Sequence, residues 1–283
     1  MPLNSDPPRE LIEAIESKKC ALFAGAGLSV SAGFPRWSEL LDKLITSGVD
    51  RGFLTRAKAD ELRELAKTAN RQLIVAQELS DSFGKEFFQT ELVTIFSARK
   101  TPTELHLTLP KIPFTLVVTT NYDQLLENAY SKMTDSIPKI YTHADTADFA
   151  DALWQGEFFI LKAHGDVARK SSLILTQKDY RTIIYSSPGY RAVLTAIFTT
   201  KTVLFLGVSM DDPETQLLLD FLHDAFHGSG VYHYALVSSQ EFNDTVINRW
   251  RRDFNVNCMR YEATAGHPEV NEFVQKVLAS LAK

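Results

Sequence analysis

Cysteine is scarce: the 283 residues hold two, Cys20 and Cys258, far apart in the chain. That excludes a disulfide framework and the paired thiolates of a structural zinc site, and it points to a reducing cytoplasm. Positive charge is short as well. Thirty Lys and Arg against 35 Asp and Glu leave a net charge of -5, so the basic footprint that phosphate backbones select is missing and direct nucleic-acid binding is disfavoured. No apolar run approaches the roughly 18 residues of a bilayer span, and the opening MPLNSDPPRE lacks the basic-then-apolar pattern of a secretion signal. The chain therefore reads as neither secreted nor membrane-embedded. Repeats and low-complexity segments are absent too. With 45% hydrophobic and 23% charged residues, the whole length should fold as an ordinary globular protein. A single core stops growing near roughly 250 to 300 residues, so one core with an inserted lobe is expected.

What is present is an alternation of short β-branched or aromatic apolar runs with helical stretches, the pattern of a mostly parallel α/β sheet covered by helices on both faces. Strands are expected near 19–24, 114–119, 157–163, 202–208, 232–237 and 256–261. Between Trp37 and Lys100 the periodicity turns helical, through Leu40, Leu41, Leu44 and Ile45, then Leu62, Leu65 and Ala66, then Phe88, Leu92, Ile95 and Phe96. The reading is a Rossmann-like domain of residues 1–37 and 101–283 with a zinc-free helical insertion at 38–100. Residues 166–188 are a candidate addition to the insertion. The last helix, near 268–281, carries Val270, Phe273, Val274, Val277, Leu278 and Leu281 on one face and should close the sheet.

Polar and glycine residues gather where the predicted strands end, the edge at which open α/β sheets bind ligands. After the first strand comes GAGLSVSAGFP, Gly25 to Pro35, whose glycines allow a tight turn and close approach of backbone amides to a diphosphate. It is not the hydride-transfer fingerprint, because the third required glycine is Val30; its ordinary alternative is a plain glycine turn. The second strand ends in Thr119, Thr120, Asn121, Tyr122 and Asp123. Asparagine donates and accepts without acting as a base, which suits holding a water or a ribose hydroxyl; alone it would read as a helix N-cap. The third ends in His164 and Gly165, and imidazole is the group best matched to general-base work near neutral pH, although a single strand-end histidine is more often structural. The fourth ends in Gly207, Val208 and Ser209.

Taken in this order, the segments resemble those of the sirtuin superfamily, whose GAGxS…GxP loop, TQNxD, HG and GTS motifs fall at matching strand ends. The resemblance spans about residues 19–213 and implies NAD held between a Rossmann-like domain and a smaller lobe. It implies that Gly25, Ala26, Gly27 and Ser29 meet the phosphates and nearby ribose, and that Gly33, Phe34 and Pro35 cover the nicotinamide end. Asn121 and Asp123 match the Asn and Asp of TQNxD, His164 matches the catalytic histidine, and Gly207 with Ser209 match the loop at the adenosine portion. Thr120 stands where the family has glutamine. Two further departures bear on function: HGDVARKSSLILTQKDY runs past the HG without the cysteine pairs of deacylases, and their FGE segment is missing. In both respects, and in LTQxDY after the HG, the chain is similar to the bacterial sirtuin-like NAD hydrolases of antiphage defence.

The expectation is hydrolysis of the nicotinamide–ribose bond of NAD to nicotinamide and ADP-ribose, without metal. Asn121 would position the attacking oxygen, His164 would polarise a ribose hydroxyl or water, and Asp123 would buttress the loop. Deacylation of lysine and non-enzymatic sensing of NAD or ADP-ribose are the alternatives. His223 and His227 lie four apart on a helical stretch, a weak zinc pattern, and Arg249, Arg251 and Arg252 read as a solvated helix face. Because the recognisable core takes up nearly all 283 residues, control is expected in trans, through a homo-oligomer or a partner protein. In the related defence systems such partners include hexameric DNA-translocating ATPases and Argonaute-type proteins.

Overall fold

A computed structural model describes residues 6–68, 71–208, 219 and 230–282. Chain order begins with α1 (Arg9–Glu16), β1 (Cys20–Ala24) and the short α2 (Ala26–Val30). Four helices follow: α3 (Trp37–Asp50), α4 (Arg56–Ala66), α5 (Gln72–Phe83) and α6 (Lys85–Phe96). Next come α7 (Glu104–Thr108), β2 (Val117–Thr119), α8 (Leu125–Thr134), β3 (Lys139–Thr142), α9 (Thr146–Gln155) and β4 (Phe159–Lys162). The remainder comprises α10 (Gln177–Ser186), α11 (Pro188–Thr200), β5 (Thr202–Leu206), β6 (His233–Ser238), a helix Asp244–Phe254, β7 (Val256–Tyr261) and a C-terminal helix Pro268–Leu281.

The strands form one parallel sheet in the order β3-β4-β2-β1-β5-β6-β7. Alternation of side chains splits every strand between two cores. In β1, Cys20, Leu22 and Ala24 face a layer made by α1, α7, α8 and the C-terminal helix, through Leu11, Ile15, Leu105, Leu126, Phe273 and Val277. Ala21 and Phe23 face the opposite layer, built by α9, α10, α11 and the helix Asp244–Phe254 through Phe149, Tyr180, Tyr190, Phe198 and Trp250. A strand buried on both faces is largely apolar, which is why β1 is a continuous apolar run and β4, β5 and β6 are apolar except at their ends, where Lys162, Thr202, His233 and Ser238 stand. Helix starts use local chemistry: the Thr55 hydroxyl accepts from the Lys58 amide at 3.2 Å, and Thr176 and Asp179 satisfy each other's amides at 3.2 and 3.1 Å. Pro188 and Pro268 open their helices, where no amide hydrogen is needed.

Two features differ from the sequence reading. KIYT, Lys139–Thr142, is an added strand, paired along its length with β4 from Lys139↔Phe159 to Thr142↔Lys162. It lies at the end of the sheet with its first residue exposed, so it needs no long apolar run. The second strand is shorter than its apolar segment: Phe114 and Leu116 are buried ahead of β2, but ladder pairing with β1 and β4 is confined to Val117–Thr119.

Helices α3 to α6 enclose a third apolar cluster, with Leu41, Leu44, Leu62, Leu79, Phe88 and Leu92 at its centre. That cluster also takes in Phe34 from the glycine loop, Tyr122 and Leu125 after β2, and Val167, Leu173 and Leu175 after β4. The segment 166–188 thus divides, since Tyr180 and Ile183 of α10 pack on the sheet instead.

Candidate active site

Register brings the motifs together. Ala24 pairs with Thr119 on one side and Leu206 on the other, and Thr119 pairs with Lys162. Gly25, Thr120, Ala163 and Gly207 therefore end their strands in one row, and Asn121 and His164 each stand two residues beyond the paired Thr119 and Lys162. β1 lies where successive connections diverge, β2 on one side and β5 on the other, the switch point at which such sheets form a binding crevice.

Between β1 and β5 the backbones nearly touch. A methyl group on Gly25 would lie 2.4 Å from the Gly207 carbonyl oxygen, and Gly207 itself has φ +62°. The amides of Gly25 and Gly27 donate to the carbonyls of Leu206 and Gly207, both at 2.9 Å. Their donors are thus spent within the protein, and the two glycines act through close approach rather than through free amides. Ser209, placed in this loop by the sequence, lies outside the described residues, as do His223 and His227.

On the β2 side a chain of polar groups is buried. Asn121 Nδ2 donates to the Gly25 carbonyl at 3.0 Å and to Ser29 Oγ at 2.9 Å. Since that carbonyl can only accept, the orientation of the amide is settled. Ser29 Oγ in turn donates to Asp123 Oδ2 at 2.6 Å, and Asp123 Oδ1 accepts from the Leu125 amide at 2.9 Å, capping the first turn of α8. Gln124 is the N-cap of α8, and it is Asp123, not Asn121, whose side chain binds the amide of the first helical residue. Asn121 Oδ1 is buried and has no hydrogen-bond partner among the described residues. An acceptor in that condition costs on the order of 1–3 kcal/mol, and a water or hydroxyl donor would satisfy it. Thr119 Oγ1 braces the turn, donating to the Ala24 carbonyl at 2.8 Å and accepting from the Asn121 amide at 3.1 Å. Thr120 is half-buried, its amide 3.3 Å from the Ala24 carbonyl.

His164 is buried at the end of β4 and stands edge-on to Tyr180, whose hydroxyl is 3.3 Å from each ring nitrogen. Gly165 follows with φ +89°, and a methyl group there would lie 2.1 Å from the Ser172 carbonyl oxygen. This glycine lets the chain double back against 172–174, where the Ile174 amide donates to the His164 carbonyl at 2.9 Å. Of the loop expected to cover the nicotinamide end, Gly33 turns with φ +88° beside Lys100, while Phe34 is buried and stacks on Phe96, which meets Tyr122 at 5.1 Å. Phe34 thereby ties the loop to the helical lobe. Gly33, Phe34 and Pro35 also border an open depression of about 700 Å³ towards α3; Asn121 and His164 do not line it.

Sequence reasoning passed over Lys162, which is fully buried. Its Nζ donates to the carbonyls of Tyr122 at 3.1 Å and Asp123 at 2.6 Å, and it pairs with Glu127 at 2.6 Å and Asp166 at 3.3 Å. Burial pushes the Glu127 carboxyl above its usual range, with the Lys162 charge opposing. A lysine inside the apolar run EFFILKA was the available signal, because such a charge must find partners.

The family profile described as a SIR2-like domain matches residues 115–259, just over half of the chain. The protein belongs to the SIR2-like family. Among curated relatives it is 27% identical over 257 residues to an NAD(+) hydrolase ThsA of Cytobacillus dafuensis, covering 90% of this chain and 49% of that protein. It is 30% identical over 273 residues to an NAD(+) hydrolase ThsA of Enterococcus faecium, covering 92% and 51%. The chain thus spans about half the length of these relatives. A solved structure of a Sir2 homologue in complex with NAD superposes with a TM-score of 0.53 at 12% identity, over 98% of this chain and 96% of that one, which shows a shared fold. Among the described residues no group of three or more His, Cys, Asp or Glu is arranged to hold a metal ion, and no helix is long and apolar enough to cross a membrane.

Proposed function

We propose that this chain binds NAD at the strand ends and hydrolyses its nicotinamide–ribose bond, releasing nicotinamide, ADP-ribose and a proton. The observation that carries the reading is the buried Asn121 Oδ1, without a hydrogen-bond partner among the described residues, beside the row where the strands carrying Gly25, Gly207 and His164 end. An acceptor held rigid by Gly25 and Ser29 suits one ribose hydroxyl or one water. The pyridinium is already an activated leaving group, so the protein's task is to orient the ribose, shield a developing oxocarbenium ion and deliver water. In this reading His164 takes the proton of the attacking water or of a ribose hydroxyl. Asp123 holds Ser29 and, through it, Asn121. Ala26, Ser29, Gly33, Pro35 and Thr120 border the NAD site, Gly25, Gly27 and Gly207 shape its floor, and residues 38–100 form a lobe beside it.

Lysine deacylation is disfavoured by the cysteine count, since Cys20 is buried in β1 and Cys258 lies in β7, which leaves no four-thiolate zinc module. The names of the relatives, hydrolase and, for a Bacillus subtilis protein 25% identical over 230 residues, defense-associated sirtuin, extend the reading to NAD depletion in antiphage defence. Free destruction of NAD would harm the host, so the same reading includes control by self-assembly or by a partner protein, with turnover rising with protein concentration or on adding the partner.

The test is nicotinamide release from NAD by the purified chain. His164→Ala and Asn121→Ala should each lower turnover by roughly a hundredfold or more while circular dichroism and gel filtration stay native. Undiminished turnover in soluble His164→Ala would remove the general-base assignment, and no release by the wild type at any protein concentration, with or without the partner, would remove the hydrolase reading.

A further inference from the structure

A fully buried ammonium in a parallel strand is costly, and replacing such a charge and its partners with apolar side chains is often neutral or stabilising. Stability alone therefore gives no reason for lysine at position 162. Its contacts do. The stem leaves the last residue of β4, two positions before His164, and the head ends on two consecutive main-chain carbonyls, those of Tyr122 at 3.1 Å and Asp123 at 2.6 Å. These carbonyls belong to the residues directly after Asn121. The same head pairs with Asp166 at 3.3 Å, two positions beyond His164, and with Glu127 of α8 at 2.6 Å. One side chain thus grips the β2 turn that carries Asn121 and the β4 turn that carries His164. Regular pairing between the two strands stops at Thr119↔Lys162. Beyond that row the turns are joined by the Ala163 amide on the Thr119 carbonyl, the Val167 amide on the Tyr122 carbonyl and the Tyr122 hydroxyl on the Ile174 carbonyl, and Lys162 adds contacts to the carbonyls of Tyr122 and Asp123 and to Asp166.

We propose that Lys162 is a positioning residue that sets the distance and orientation between Asn121 and His164. This rests on the NAD-hydrolase reading for its activity readout. It predicts that the carbonyl contacts matter and the Glu127 ion pair does not, since Glu127 only offsets the buried charge. A residue serving stability alone would show no such split.

The experiment compares full chains carrying Lys162→Met, Glu127→Gln and both changes with the wild type, using NAD as substrate and hydrogen exchange of peptides spanning 119–125 as a second readout. Lys162→Met should lower kcat by roughly a hundredfold, as expected for reacting groups displaced by about an ångström, with KM for NAD shifted less than about threefold. Amides of 119–125 should exchange at least about tenfold faster. Glu127→Gln should keep kcat within about threefold and leave that exchange slow. If Lys162→Met does not fold, the double variant, which removes the Glu127 charge and leaves Asp166 accepting from the Ala168 amide at 2.9 Å, carries the same two readouts. Wild-type kcat per folded molecule together with unchanged exchange in either Met variant would overturn the proposal. Absence of turnover by the wild type would overturn the hydrolase reading instead, and the exchange of 119–125 would then decide the positioning role by itself.

Discussion

The helical segment 37–96 and the carboxyl ends of the sheet are built by different means. Inside the helices the buried side chains are mostly apolar, with Leu, Ala and Phe filling the space, and most charge is kept near the surface, as where Arg63 meets Asp42 at 2.7 Å and Lys67 meets Glu64 at 2.6 Å; buried Glu91, held by Ser47 at 2.6 Å and Arg51 at 3.1 Å, is an exception. At the strand ends the buried groups include Ser29, Asn121, Asp123, Lys162, His164 and Asp166, each placed by a named contact. Apolar packing constrains volume and tolerates exchange of one aliphatic group for another. A buried polar network constrains direction, and an unmatched member is expensive. The lobe can therefore vary in sequence while holding its shape, whereas the strand ends hold their buried polar groups in one geometry.

The sharpest break of that comparison is Gly165→Ala. It places a methyl group 2.1 Å from a main-chain oxygen at φ +89°, where neither relief by a flexible side chain nor an ordinary backbone conformation is on offer. A loss of roughly 4 kcal/mol or more is expected, read as failure to fold or as a collapsed urea midpoint. A midpoint near that of the wild type would show that the 172–174 turn yields.

Next in size is acid sensitivity. Burial pushes His106 down to about 4, with the Asp123 charge partly opposing, and pushes His233 down to about 4. Both are neutral in the folded protein, while in the unfolded chain they take up protons near the ordinary value of 6.5. The unfolded state then binds more protons, so their contribution is intact above that value and is lost as pH falls towards about 4, by on the order of 3 kcal/mol each. Segment 37–96 contains no histidine. Urea midpoints between pH 7.5 and 4.5 should fall in the wild type and fall less in His233→Asn; an unchanged slope in that variant would contradict the assignment. The smallest effect is expected for Arg63→Ala, whose side chain is 35% exposed: less than about 1 kcal/mol and weaker still in salt. A larger loss would mean that the lobe depends on directed charge as the strand ends do.

The motif order was legible because each motif is local. A glycine-rich turn, TTNYD, HG and GVS must each follow an apolar strand, and strand ends show in the sequence as a change from apolar to polar residues. The stripe on the C-terminal helix was legible for the same reason, whereas the two faces of all-apolar β1 were separated only by the packing around them. Lys139–Thr142 escaped because an edge strand with one neighbour lacks the apolar run that marks a central one. The partners of Lys162 escaped because Tyr122, Asp123 and Glu127 are gathered by the β2–β4 pairing and by α8, across 35 to 40 residues of chain.

By itself, then, the sequence determined the layered parallel fold, the helical insertion and the kinds of groups at each strand end, since these follow from hydrophobic period, turn residues and side-chain chemistry within short windows. Tertiary structure alone decided which of those groups meet. It spent the amides of Gly25 and Gly27 on the end of β5, left Asn121 Oδ1 without a partner among the described residues while tying Nδ2 to Gly25 and Ser29, and drew Phe34 into the lobe. The reason is physical: strand register and helix packing set distances between residues far apart in sequence, and a hydrogen bond of about 3 Å tolerates little error in them.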